Sequence, residues 1–302
     1  MKLILLISLF LFSFSVFSKP KVIYGADNRV DAMNSYDNAQ RYLARSTVAM
    51  IPANAISRHN ANSLYGVIKG VSLRDRLGID PMTGQKVTQL CKDERFGMQP
   101  TAANCSGFMI SDDMIATAGH CMQSMEMCRD NYWVFDYFAK GEFDTEVIVP
   151  ASSVYRCARV IKQAFDGETL NDYAIIQLDR KVTDRPPLKL RASGSIMYQE
   201  NVFVIGYPTG LPGKVADTAW VTNNYGGKGK YFATNLDTFG GNSGSAVFNA
   251  RTYEVEGILV RGDTDYFFDQ SAQCIRPYQC NLFPNDKCNM GEHVTRITEI
   301  YK

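Results

Sequence analysis

The sequence predicts an all-β protein whose strands fall into two comparable antiparallel sets, with a helix at the C-terminus. Three observations carry this. From Cys105 onward the chain is a succession of short apolar stretches separated by turn residues, the pattern of an antiparallel sandwich or barrel. Pro186-Pro187 falls midway through these stretches and marks a linker between two sets of strands. Only the final EHVTRITEIYK spaces apolar residues at helical steps, Val294, Ile297, Ile300 and Tyr301, so a closing helix is placed there.

Taken in order, the first element is not structure. Met1-Lys2 leads into the apolar run Leu3 to Phe17, shorter than the ~20 residues a membrane span needs, and then Ser18-Lys19-Pro20-Lys21. This reads as a signal peptide over 1–18, with Val16 and Ser18 as small residues at the cut, followed by a short pro-segment over 19–21. No cysteine stands at that site, so no lipid anchor is expected. A polar segment runs to Arg45, and Ser46 to Ile51, STVAMI, is the first strand signal. Residues 52–104 carry Asn, Gly, Pro and Arg with little periodicity and read mostly as loops or an insertion. The strand signals then follow as GFMI, MIATA, YWVFDYF, EVIVP, ARVIKQAF and YAIIQL, and after the linker VFVIGYP, AWVT, YFATNL, SAVFN and VEGILV. The division is therefore 22–185 for the N-terminal region with the first set, and 186–302 for the second set with the helix. No fixed-period repeat, low-complexity tract or heptad is visible.

Composition narrows the function. With 32 Lys+Arg against 31 Asp+Glu, a net charge of +1 offers no basic field for nucleic acid. Eight cysteines in an exported chain read as disulfides and point to a secreted or periplasmic location. The spacing of Cys274, Cys280 and Cys288 with His293 would also suit zinc, but thiols outside a reducing cytosol oxidise, so no metal is expected.

The stretch TFGGNSGSAVF holds Ser243 between Asn242 and Gly244, which is either a flexible polar turn or a nucleophile at a sharp one. A serine hydroxyl needs a general base, most often histidine, oriented by a third group. The chain has three histidines. His59 lies in the polar SRHNAN and reads as a solvated loop residue; His293 reads as a helix-end or surface residue. His120 differs, because it follows the strand-like MIATA and directly precedes Cys121, sixteen residues after Cys105. Asp172 heads the apolar run NDYAIIQL, which gives the order histidine, aspartate, serine.

The string CSGFMISDDMIATAGHC resembles the segment of trypsin-like serine proteases in which a disulfide closes two strands and the catalytic histidine precedes the second cysteine. NDYAIIQL and GGNSGSAVF resemble the aspartate and serine segments of that family. The resemblance covers about 105–262 well and the amino end weakly. It implies a chymotrypsin-like double antiparallel β-barrel with the site in the cleft between barrels, catalytic His120, Asp172 and Ser243, and an oxyanion hole from the N–H groups of Gly241 and Ser243. It also implies a Cys105–Cys121 bond. Cys128 with Cys157 is the second expected pair, both falling in the first barrel, while Cys91, Cys274, Cys280 and Cys288 leave three pairings open.

Asn242 stands where mammalian members carry an aspartate that pairs with a freshly cut amino terminus. GGNSGS instead looks like the bacterial glutamyl endopeptidases, and VIYGADNR resembles the start of their mature chains, implying a cut after Lys21 that exposes Val22. Within GILVRGD, however, Leu259 occupies the place of their glutamate-binding histidine. Asp237, six residues before Ser243, would favour Arg or Lys substrates if it faced the pocket; glutamyl enzymes instead turn the neighbouring Thr238 inward. Arg261, next to Gly262, would either neutralise Asp237 or receive an acidic side chain, and the replacement at Leu259 leans against acidic substrates. The implied protein is a monomeric exported serine endopeptidase acting on protein or peptide, with no cofactor and no loop that spells out a calcium site. A catalytically inactive protease-fold binding module and an esterase using the same triad are the alternatives.

Overall fold

The computed structural model describes residues 23–58, 64–78, 88–262, 264–280 and 291–302. The expected signal peptide, pro-segment, Val22, His59 and Cys288 lie outside these. Twelve strands form two closed six-stranded antiparallel barrels. The first contains β1 (Thr47–Pro52), β2 (Cys105–Met109), β3 (Met114–Thr117), β4 (Asn131–Val134), β5 (Val154–Asp166) and β6 (Asn171–Leu178). Its order is β4-β5-β6-β3-β2-β1, and β1 pairs back onto β4. The second contains β7 (Asn201–Gly206), β8 (Lys214–Asn223), β9 (Tyr231–Thr234), β10 (Ala246–Asn249), β11 (Val255–Arg261) and β12 (Glu292–Arg296). Its order is β7-β10-β11-β12-β9-β8, closed by β7 against β8. Pro186-Pro187 lies between β6 and β7. No described helix is long and apolar enough to cross a membrane.

The apolar stretches became strands because each buries side chains that a lone strand would leave wet. β10 and β12 are buried at every residue. Phe108, Trp133, Phe135 and Ile176 of the first half form one continuous core with Phe203, Phe248 and Ile258 of the second. At about 1.5–3 kcal/mol for each fully buried large apolar side chain, this shared core fixes the two barrels against each other.

Two sequence expectations change. The C-terminal segment is not one helix: Glu292–Arg296 is strand β12, and only Ile297–Tyr301 forms a short 3-10 helix. Its helical spacing arose because the 3-10 turn delivers Ile297 and Ile300 into the shared core, after a strand whose two faces are both covered. Residues 52–104 also carry more strand than their composition suggests. Tyr65–Ile68 pairs on one side with Ile56–Arg58 and on the other with Val147–Pro150, making a small three-stranded sheet.

The amino-terminal segment runs along the second barrel. Ile23–Tyr24 pairs in parallel with Gln279–Cys280, and Val30–Asp31 pairs with the start of β8. There Lys214 Nζ is fully buried and held by Asp31 Oδ1 at 2.6 Å, Gln99 Oε1 at 2.8 Å and Pro212 O at 2.8 Å. Burial pushes this ammonium down to about 8, against the pull of Asp31.

Candidate active site

His120 sits in a 3-10 turn, Gly119–Met122, immediately after β3. The turn is fixed on both sides: Gln163 of β5 donates to Gly119 O at 2.8 Å, and Cys105 of β2 is bonded to Cys121. Asp172 lies at the head of β6, opposite Phe165 in register, with no exposed surface. Its Oδ1 accepts from the His120 backbone N–H at 3.1 Å, and its Oδ2 faces His120 Nδ1 at 2.9 Å. The two contacts lock the imidazole about both its backbone and its ring, and they leave Nε2 as the ring nitrogen available for proton transfer.

Ser243 is carried by the turn between Leu236 and β10. The turn is docked onto the first barrel, because Ser106 N–H of β2 donates to Ser243 O at 2.7 Å and Ser106 Oγ donates to Gly241 O at 2.8 Å. Cys121 Sγ lies 3.8 Å from Ser243 O, which brings the serine backbone against the residue that follows His120. Gly241 and Gly244 both have positive φ, +95° and +92°. At Gly244 a Cβ would stand 2.0 Å from Ser106 O, so only glycine allows the docking.

The N–H groups of this turn divide into two sets. Gly240 donates to Asp265 Oδ2, Asn242 to Phe239 O, Gly244 to Leu259 O and Ser245 to Asn242 O. Gly241 and Ser243 donate to nothing among the described residues, which leaves two backbone donors beside the Ser243 hydroxyl for an external oxygen. The Asn242 side chain is buried and accepts from Ser245 Oγ at 3.2 Å, within its own turn.

A cavity of about 480 Å³ opens beside Ser243, walled by Thr238, Phe239, Leu259, Val260 and Glu292 among others. Thr238, Leu259, Arg261 and Gly262 all line it. Asp237 does not. It is 2% exposed and turned the other way, its Oδ1 accepting from Tyr24 N–H at 2.7 Å and its Oδ2 from Asn28 N–H at 3.2 Å. The acid considered for the pocket base is thus the anchor of the amino-terminal segment. Burial pushes its carboxyl up to about 6, although the two backbone bonds pull the other way. Arg261 does not neutralise Asp237: its Nη2 donates to Leu170 O at 2.8 Å and lies 4.0 Å from Asp172 Oδ2.

Among the described residues, two acids that line the cavity carry no signal in the sequence: Glu292 lies in the segment whose spacing predicts a helix, and Asp265 in a stretch without strand signal. His293, expected at a helix end or surface, is instead buried on β12 with its ring 4.7 Å from that of Tyr231.

Disulfides join Cys105 to Cys121, Cys128 to Cys157 and Cys91 to Cys274, and Cys280 is disulfide-bonded as well. Cys274 and Cys280 are therefore not zinc-ligating thiolates. The same holds for the sulfurs of Cys105 and Cys121, which lie with a His120 ring nitrogen within 4.8 Å of one another but are spent on their own bond.

A profile of the trypsin-like peptidase domain matches residues 105–258, just over half of the chain. A search of curated proteins found no match. Among solved structures, a Glu endopeptidase in complex with MPD aligns at 14% identity over 93% of this chain and 95% of its own, with a TM-score of 0.49. The VesB protease of Vibrio cholerae aligns at 12% identity over 91% of this chain and 65% of its own, with a TM-score of 0.50. A serine endoprotease from Yersinia pestis gives 17% identity over 76% and 58%, with a TM-score of 0.44. Of these three, only the likeness to VesB speaks to the fold, and at 12% identity to the fold alone; the profile match goes further, and by it the chain belongs to the trypsin-like peptidase family.

Proposed function

We propose that this peptidase is an exported serine endopeptidase working through an acyl-enzyme. His120 Nε2 takes the Ser243 hydroxyl proton as Oγ attacks the scissile carbonyl carbon. The tetrahedral oxyanion is met by the N–H groups of Gly241 and Ser243, each such donor being worth about 3 kcal/mol of barrier. His120 then gives its proton to the leaving amine as the C–N bond breaks. Water, deprotonated by the same imidazole, releases the acyl group. Asp172 keeps the ring in the tautomer that leaves Nε2 free to accept and stabilises the imidazolium.

The observation that carries this reading is the His120 Nδ1 to Asp172 Oδ2 contact of 2.9 Å, made by a carboxylate with no exposed surface. Export is supported by the disulfides, which persist in oxidising compartments. A signal peptide over 1–18 and a second cut after Lys21 complete the proposal, and N-terminal sequencing of secreted material tests both; a chain beginning at Lys19 would refute the second cut. The activity test is casein digestion by wild type, Ser243→Ala, His120→Ala and Asp172→Asn. The first two substitutions abolish turnover, and Asp172→Asn lowers it by about four orders of magnitude if the tautomer argument transfers. A Ser243→Ala protein retaining more than about a tenth of wild-type turnover overturns the assignment, since removing a nucleophile costs far more.

A further inference from the structure

We propose that Arg261 is a positioning residue of the catalytic site. From the second barrel it holds the Asp172 carboxylate, and the backbone just before it, in the place from which they orient His120. The inference rests on the serine-peptidase reading above and adds one residue to it.

Arg261 ends β11, two residues past Leu259, whose backbone brackets the serine turn: Leu259 O accepts from Gly244 N–H at 2.7 Å, and Leu259 N–H donates to Ser245 O at 3.0 Å. The pairing of β11 with β12 slips by one residue between Leu259 and Arg261. A bulge of this kind bends the strand and re-aims a side chain. The Arg261 guanidinium reaches the first barrel, where Nη2 donates to Leu170 O at 2.8 Å and stands 4.0 Å from Asp172 Oδ2. That oxygen is the one facing His120 Nδ1 at 2.9 Å.

The two contacts act differently. Leu170 closes the turn before β6 at φ +55°, a left-handed conformation that residues other than glycine keep only where their surroundings hold it. The hydrogen bond from Arg261 to its carbonyl holds that turn, and with it the head of β6, two residues before the carboxylate. The contact to Oδ2, at 4.0 Å, is too long for a hydrogen bond and acts through charge alone. Its weight comes from burial. The Asp172 side chain is 1% exposed, and His120 is uncharged when it accepts the serine proton, so the resting carboxylate lies out of water beside a neutral ring. Among the described residues, His120 and Arg261 are the cationic or titratable groups within ion-pair distance of it. Arg261 therefore supplies the charge that keeps Asp172 ionised at rest, with its acceptor oxygen aimed at Nδ1–H.

The test compares mature secreted wild type with Arg261→Met and Arg261→Lys on a peptide anilide without charged side chains, so that no charge lining the cavity acts on a charge of the substrate. Arg261→Met lowers kcat by about 10- to 100-fold, the scale of an interaction with a charged group, and leaves KM unchanged. Arg261→Lys keeps the charge and a donor for what is a single-point contact, and recovers most of the loss. Urea unfolding establishes that each variant is folded, and Arg261→Gln replaces Arg261→Met if the latter is not. A second measurement asks whether Arg261 acts through Asp172. Arg261→Met slows fluorophosphonate labelling of Ser243 in the otherwise wild-type protein, but adds little in an Asp172→Asn background, where the charge it serves is gone. An unchanged kcat in the folded Arg261→Met protein, no recovery in Arg261→Lys, or an equal further slowing in the Asp172→Asn background overturns the assignment. Failure of wild type to take the label at Ser243 would strike the serine-peptidase reading itself, and this inference with it.

Discussion

Asp237 offers a prediction whose magnitude follows from its surroundings. Burial between the amino-terminal segment and the turn that precedes Ser243 raises its carboxyl from 3.8 to about 6. Because the folded carboxyl holds its proton more tightly than the unfolded one, the folded state binds more protons between these values. Its contribution to stability is therefore fully present below pH 3.8 and is lost as pH rises through 6. The full loss is about 3 kcal/mol, and about 2 kcal/mol of it falls between pH 4 and pH 7. Replacing Asp237 with Asn removes the titration, so the variant's stability declines less over that interval by about 2 kcal/mol, whatever its absolute value. Asp265, also raised to about 6 by burial, titrates in both proteins and cancels. The assay is urea unfolding at pH 4, 5, 6 and 7, with both proteins in a Ser243→Ala background so that neither digests itself. Parallel stability curves for the two proteins would refute the reasoning, since they would mean Asp237 ionises in the fold as freely as in the unfolded chain.

Three further perturbations probe the frame around the site. Gly244→Ala, at φ +92° with its new Cβ 2.0 Å from Ser106 O, displaces the serine turn and removes activity on casein while both barrels still melt cooperatively. Cys105→Ser with Cys121→Ser opens a sixteen-residue link, costing about 3 kcal/mol in denaturant unfolding, and lowers turnover because the turn bearing His120 loses its covalent anchor. Lys214→Met strands the Asp31 carboxylate without its ammonium and costs about 3–5 kcal/mol at pH 7, a deficit that Asp31→Asn added to it largely restores.

The parts of the site that were legible are those written in local strings. Cys105, His120 and Cys121 sit on two adjacent strands and the turn that follows them, Asp172 heads an apolar strand, and Ser243 lies between glycines, so each signal is complete within about twenty residues. The barrels were legible for the same reason, since period and turn residues report strands one at a time. Long-range placement was not. The offset of Asp237 from Ser243 gives its position along the chain but not which way its carboxylate turns, and that is decided by Tyr24, 213 residues away. One of the two strands flanking Tyr65–Ile68, Val147–Pro150, is about eighty residues distant, beyond the reach of any local string. Glu292 stayed hidden because β12 is covered on both faces, which erases the alternation that would have marked it as a strand, and the two isoleucines of the following 3-10 turn mimicked a helix.

The central claim is that Ser243 is a nucleophile activated by the His120–Asp172 pair, and stoichiometric labelling with a fluorophosphonate tests it most directly. The account predicts one label per molecule, located at Ser243 by peptide mapping, at a rate that falls by at least about a hundredfold in His120→Ala with the protein still folded. Labelling at another residue, or at Ser243 with the same rate in His120→Ala, would contradict it.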